Sequence, residues 1–280
     1  MSFININTSK FMKIPNINET KCKTNNTFIA RFTDLLLYHY EIYNAGIRVF
    51  TKKKSPYIIG FNGSVSSGKS YISDKCSEQL NKNCNVKTIV LSTDNFIFPN
   101  KKLEKMGIMH RKGFPESYDM IALKKVIIAI KQNKSVKVPI YDQSISDISK
   151  KRNTIPVGID IVILEGINIL QTNNLITANK MRVILSDYID LSIYIDAHEK
   201  AIKHWFLERL EKKKTHWKKK GIKRNLTKKN NRKFKKWGVK IWNDINKVNL
   251  EKFILPFKER ADIILFKNKN HRVTKMAIRI

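Results

Sequence analysis

A mainly parallel β-sheet covered by helices on both faces is the fold class this sequence predicts, and three observations predict it. Short apolar, β-branched runs at 57–61, 86–91, 159–164 and 191–195 alternate with helical stretches, the pattern of a buried parallel sheet. A glycine-containing turn, Gly63-Ser64-Val65-Ser66-Ser67-Gly68-Lys69-Ser70, lies directly between the first of these runs and a helix. With 280 residues and 42% apolar composition, the chain can bury the core of one large α/β domain.

Taken in order, residues 1–27 are polar and Asn-rich without a sustained period, and read as a loop or loosely attached arm. Ile29, Phe32, Leu36, Tyr40, Tyr43 and Ile47 then recur at steps of three and four, which puts them on one face of a helix. Lys52 to Pro56 punctuate, 57–61 is a buried strand, and a helix follows the turn over 69–80. The strand at 86–91 ends in Ser92-Thr93-Asp94, and Asp119 is placed to cap a helix over 119–130. Strands at 159–164 and 191–195 precede helices at 198–214 and 234–253 and a last strand at 263–266. Ligands of open α/β sheets sit at the carboxyl ends of the strands, so Gly63, Asp94 and Glu165 are expected along one edge.

The formal charge of +32 suggests a polyanionic partner, but much of it is local: from Arg209 to Lys240 there are 16 Lys or Arg and one acid, Glu211. With few rings interleaved, this reads as a solvated surface segment in preference to a nucleic-acid patch. The longest apolar stretch, 159–170, is broken by Asp160, Glu165 and Asn168, so no membrane span is expected. The first residues lack a secretory pattern, which points to the cytoplasm. Cys22, Cys76 and Cys84 form no CxxC pair and read as reduced thiols, and the six histidines make no HExxH spacing.

Gly63 to Ser70 matches GxxxxGK[ST], the phosphate loop of P-loop nucleotide-binding proteins, and extends the fold class to a P-loop NTPase-like three-layer α/β fold. The glycines let the backbone of Gly63, Ser64, Val65, Ser66, Ser67 and Gly68 wrap close to phosphates, with N–H groups and a helix N-terminus aimed at the anion. Lys69 adds a cation at the β and γ phosphates, and the Ser70 hydroxyl is a ligand for Mg2+. These residues imply an ATP-dependent kinase. Asp94 is either the carboxylate that accepts a substrate hydroxyl's proton or a metal-ordering or turn-forming residue. Glu165 at its strand end has a metal-side or a helix-capping role, and Arg209 is a candidate lid arginine.

The residues reached so far resemble prokaryotic type I pantothenate kinase. The matching stretches are GSVSSGKS at 63–70, STDNFIFPN at 92–100, GIMHRKGFPESYDM at 107–120, ILEGINIL at 163–170, SDYIDLSIYIDA at 186–197 and WNDINKVNLEKFILPFKERA at 242–261. They keep the family's order and cover most of residues 57–271. The resemblance implies transfer of the ATP γ-phosphoryl group to pantothenate, with Asp94 as the catalytic carboxylate and Lys69, Ser70 and Arg209 on the triphosphate, metal and developing charge. By the same resemblance Tyr141 and Asn246 contact pantothenate, Asn18 and His271 lie on the adenine side, and the protein is a homodimer. It also divides a single domain, 1–280, into an N-terminal helical extension (1–55), a nucleotide-binding core (56–200), a helical substrate and lid region (201–255) and a C-terminal strand with an adenine-side tail (256–280).

Departures from the family cluster on the acceptor side. Gln143 replaces a His, Ser146 a Tyr and Phe206 a Tyr, and the aromatic lid is replaced by the Lys-rich 212–233. Asp74 stands where the family has an Arg linked to coenzyme A feedback. Two other readings stay open at this level: a kinase of another hydroxyl acceptor, like uridine kinase or phosphoribulokinase, and a non-catalytic ATP or polyanion binder.

Overall fold

The computed structural model describes residues 2–13, 27–50, 55–172, 184–219 and 231–280. In chain order the elements are β1 (Phe3–Asn7), α1 (Thr8–Phe11), α2 (Phe28–Phe50), β2 (Tyr57–Gly63), α3 (Lys69–Asn83), β3 (Thr88–Ser92), α4 (Asn100–Lys105), α5 (Met120–Lys131) and β4 (Val136–Asp142). There follow β5 (Asp147–Ile155), β6 (Ile161–Gly166), β7 (Leu191–Ala197), α6 (Glu199–Lys219), α7 (Asn231–Ile241), β8 (Ile263–Lys267) and β9 (Val273–Arg279).

Seven strands form one sheet in the order β1-β9-β8-β7-β2-β6-β3. The run β8-β7-β2-β6-β3 is parallel, while β9 and then β1 add antiparallel strands at one edge. Every residue of β2 and of β6 is buried, as central parallel strands covered on both faces require. Alternation of side chains distributes β2 between two cores. Ile59 and Phe61 pack with Phe32 and Leu36 of α2 and Ile72 and Leu80 of α3, whereas Ile58 packs with Leu123 and Ile127 of α5. A third cluster joins Ile202 and Phe206 of α6 to Tyr194, Trp242 and Ile264. Each such side chain, fully buried, contributes about 1.5–3 kcal/mol against exposure.

The strands and helices expected at 57–61, 69–80, 86–91, 119–130, 159–164, 191–195, 198–214 and 263–266 are all present within a few residues of those bounds. Asp119 caps α5, its carboxylate accepting from the Ala122 N–H at 2.9 Å. Four features differ from the sequence reading. Residues 3–7 are not a loop but strand β1, paired with β9 from Phe3↔Arg279 to Asn7↔Lys275; its partner lies at the far end of the chain, where no local period can reveal it. β4 and β5 form a separate two-stranded sheet, and β9 adds a strand between β8 and β1 in the large sheet. The helix expected over 234–253 is α7 followed by π-helical turns at Trp242–Lys247 and Leu250–Ile254. Cys84 is disulfide-bonded, so the expectation of three reduced thiols does not hold, while Cys76 is a buried free thiol pushed up to about 12 by burial. Among the described residues no helix is long and apolar enough to cross a membrane.

Candidate active site

The register of the parallel strands builds the site. Phe61 of β2 and Ser92 of β3 both stand opposite Glu165 of β6, and Asn62 stands opposite Gly166. The phosphate loop leaving β2, the turn leaving β3 and the end of β6 therefore emerge side by side, as expected for Gly63, Asp94 and Glu165.

Within the loop, Gly68 adopts φ +94°, a conformation that favours glycine, and hands the chain directly into α3. The hydroxyls of Ser64, Ser66 and Ser67 are buried there without a partner. Lys69 opens α3, and its Nζ donates to the carbonyls of Gly63 at 3.0 Å and Ser64 at 2.8 Å. Burial holds its ammonium below the usual lysine range, with Glu165 and then Asp94 pulling it back up. This is a cation at a helix N-terminus in a loop of unpartnered donors, a cradle for phosphate.

Asp94 follows β3 in a 3-10 turn, Thr93–Phe96, which Ser92 caps by accepting from the Asp94 N–H at 3.3 Å. The Tyr118 hydroxyl donates to Asp94 Oδ1 at 3.2 Å, which ties the KGFPESYDM stretch to this carboxylate. Burial and then the neighbouring Glu165 raise the Asp94 pKa, against the opposing pull of Lys69, the Tyr118 hydrogen bond and Arg209. A carboxyl group with a raised pKa beside a phosphate cradle is suited to take a proton.

These groups share one cavity of about 570 Å³. The loop contributes Val65, Ser66, Gly68, Lys69 and Ser70 to its wall, and the strand ends contribute Asp94 and Glu165. Tyr141 and Gln143 line it from β4 and the turn that follows, Arg209 from α6, and His271 from the β8–β9 turn. Gly63, Ser64 and Ser67 lie in the loop without lining that wall. Phe206 is not on the wall either: it packs in the third core cluster, its ring 5.9 Å from that of Trp242. Asn246 sits in the first π-helical turn, partly buried and outside the lining. Asn18 lies outside the described residues.

Several wall residues went unremarked in the sequence. Trp205, Glu208 and Lys212 join Arg209 on one face of α6 at steps of three and four, a helical spacing that could have been read. Trp205 stacks on His271, ring centroids 3.9 Å apart and 23° between planes. Asn95 is set by its own bond, its Oδ1 accepting from the Tyr141 N–H at 2.9 Å. Near the π-helical turns the committed amide is Asn249, which is 4% exposed, donates to the Gly113 carbonyl at 2.9 Å and leaves its Oδ1 without a partner.

The phosphoribulokinase/uridine kinase family model matches residues 58–274. A pantothenate kinase of Coxiella burnetii (strain RSA 331 / Henzerling II) is 40% identical over 232 residues, covering 81% of this chain and 72% of the relative. One of Ligilactobacillus salivarius (strain UCC118) is 38% identical, covering 81% and 74%. The chain belongs to the phosphoribulokinase/uridine kinase family and, within this likeness, to the pantothenate kinases. Among solved structures, a D-glycerate 3-kinase from Cryptococcus neoformans var. grubii shares the fold at TM-score 0.63 and 15% identity, over 86% of this chain and 97% of that one. For a pantothenate kinase, the cavity just described brings the phosphate loop and Gln143 onto one wall.

Proposed function

We propose that this protein, working in the cytoplasm, transfers the γ-phosphoryl group of ATP to the primary hydroxyl of pantothenate, giving 4'-phosphopantothenate, the first step towards coenzyme A. The observation that carries the chemistry is that Lys69, Ser70 and Asp94 line one cavity, and the pantothenate kinase relatives supply the acceptor. ATP lies with its phosphates in the loop, held by the N–H groups and the α3 N-terminus. Asp94 accepts the hydroxyl proton as that oxygen bonds to the γ-phosphorus; the bond from that phosphorus to the β,γ-bridging oxygen breaks, and ADP leaves with the electron pair. Lys69 and Arg209 stabilise the charge that develops on the phosphoryl oxygens.

Among the described residues no cluster of three His, Cys, Asp or Glu stands ready to hold a metal. The donor set nonetheless fits Mg2+ arriving with the nucleotide, because the Ser70 hydroxyl and Glu165 carboxylate are oxygen ligands on the same wall. Bound there, Mg2+ supplies neutralising charge to the triphosphate. Tyr141, Gln143 and Asn246 are assigned to the acceptor, and His271 to the adenine side. The missing hydroxyl at Phe206 costs the acceptor little, since that ring packs in the core. Asp74 brings negative charge where an anionic feedback ligand would be expected, so we assign weak feedback by coenzyme A.

The test is ADP release by purified protein with Mg2+ and ATP across a panel of hydroxyl acceptors. Pantothenate-dependent turnover is expected. Turnover of a nucleoside, ribulose phosphate or glycerate with none of pantothenate overturns the acceptor assignment, and no turnover of any acceptor overturns the kinase reading.

A further inference from the structure

Lys267, the last residue of β8, is a lysine that the reaction above does not use, and it is buried, with 8% of its surface exposed. Its Nζ donates to the carbonyl of Ser67 at 2.7 Å, inside the phosphate loop. Its other polar neighbour is His271 Nδ1 at 3.4 Å, and the ammonium lies 5.3 Å from the centre of the Trp205 ring. Among the described residues no carboxylate pairs with it. Burial alone pulls its pKa down to about 8.

A buried ammonium without a counter-charge is costly, and such groups persist where a ligand or a function compensates them. Its placement also follows from the backbone. The β8–β9 ladder shifts register between Phe266 and Lys267, an irregularity of the kind that re-aims a side chain near a site. On the other side, Lys267 stays in parallel register with Ala197 of β7, so the strand end itself is fixed. The ammonium then fills the space beside Gly68, where an added Cβ would come within 2.6 Å of Nζ.

We propose that Lys267 is a positioning residue for nucleotide binding: by holding the Ser67 carbonyl from behind, it fixes the turn through Gly68 that aims the loop's N–H groups at the β and γ phosphates. A peptide whose carbonyl is held on one side presents its N–H to the other, and this is the polarity a phosphate cradle needs. The positive charge behind the loop adds to the attraction that Lys69 exerts from within it. The inference rests on the kinase reading above, since it assigns the loop to a nucleotide.

The experiment is titration of the full-length protein with ADP, beside its melting temperature without ligand and the KM for pantothenate, in wild type and Lys267→Met. Methionine keeps the length of the side chain and removes both donor and charge. The expected result is a Kd for ADP raised about tenfold, with the pantothenate KM within twofold of wild type. The melting temperature without ligand should hold or rise, because an uncompensated buried charge has been removed. Should the methionine variant not fold, Lys267→Gln carries the same comparison, with an expected loss of at least threefold because the amide has a shorter reach and no charge. An unchanged ADP affinity overturns the inference. So does a fall in melting temperature accompanied by equal losses for both substrates, the mark of a merely structural lysine. If wild-type protein itself fails to bind ADP, the kinase reading falls and this inference with it; if wild type binds and the variant binds equally, only this inference falls.

Discussion

Gly166→Ala tests whether the carboxylate assigned as the base, Asp94, is positioned by strand packing, because the nearest neighbour of Gly166 is the turn that carries it. A Cβ added to Gly166 would lie 2.0 Å from Thr93 Oγ1, 2.7 Å from its Cγ2 and 2.9 Å from its Cβ. Rotating the threonine side chain relieves the first two contacts but not the third. Thr93 is 1% exposed, so it has little free space to retreat into. The turn at Thr93–Phe96 therefore shifts by up to about 1 Å, and Asp94 shifts with it, a displacement of the size that costs roughly 100-fold in turnover. The overpacking itself costs about 1–3 kcal/mol of stability. ADP affinity should hold, since the phosphate loop is carried by β2 and α3 rather than by this turn. The assay is kcat from coupled ADP release together with an ADP titration on folded protein. Thr93→Ala is the control, because Thr93 Oγ1 has no hydrogen-bond partner to lose. Combined with Gly166→Ala it removes the two closest contacts and should recover most of the rate. Wild-type kcat in Gly166→Ala, or no recovery in a folded double variant, refutes the reasoning.

Three further outcomes follow from the site. Asp94→Asn should lower kcat by roughly 10² to 10⁴ and leave ADP binding nearly unchanged. It should also raise the melting temperature at pH 7. The folded-state pKa of Asp94 lies above its unfolded value, so its contribution to stability is full below the unfolded pKa and is lost as pH rises through the folded one. Where the buried carboxylate is ionised that contribution is lost, and a neutral amide avoids the loss; a lower melting temperature would contradict this. Tyr118→Phe deletes a hydrogen bond that favours the ionised carboxylate, so the Asp94 pKa should rise further and the acidic limb of the kcat profile should move to higher pH; an unmoved limb would place the base elsewhere. Asp74→Arg should lower the coenzyme A concentration for half-inhibition by about tenfold, measured at fixed ATP. No change would remove position 74 from feedback control.

What was legible in the sequence tracks how local its cause is. The phosphate loop is eight consecutive residues, and the buried runs around it carry their own period, so β2, α3, β3 and β6 were placed within a few residues. Asp94 and Glu165 followed from the rule that ligands gather at strand ends. β1 was missed because its partner β9 lies at the far end of the chain, and Phe3–Asn7, an edge strand with alternating Asn, by itself reads as loop. β9 pairs with the neighbouring β8 and was missed because its burial is incomplete and shows no clean alternation. The hairpin β4–β5 carries Lys, Arg and Asn on its exposed positions and offers only a short apolar alternation. Lys267 was invisible for another reason. As one of 55 basic residues it had no distinguishing context until β8 brought it behind the loop, 200 residues away in sequence.

The same physics says where this chain tolerates change. The nucleotide end is held by parallel strands buried on both faces, where a slip of one residue would turn a whole hydrophobic set to the wrong side. Change there is expensive, and the loop, Asp94 and Glu165 stand on or beside these strands. The turn between β4 and β5 is held by side-chain contacts to polar loops: Lys112 donates to Asn100 Oδ1 and to the Ser146 carbonyl, and the Asn100 N–H donates to Asp147 Oδ1 at 2.9 Å. Gln143 Oε1 accepts from the Lys213 ammonium at 2.9 Å in an exposed bond. Such bonds, partly buried or, for Gln143–Lys213, exposed, contribute on the order of 1 kcal/mol each. A residue can therefore change at 143 or at 213 without unfolding the protein, and the amide–ammonium bridge between Gln143 and Lys213 joins the turn after β4 to α6. A rigid nucleotide scaffold with a weakly held rim thus permits change at the rim, and under the proposed function such change should alter acceptor affinity while leaving phosphoryl transfer at the strand ends intact.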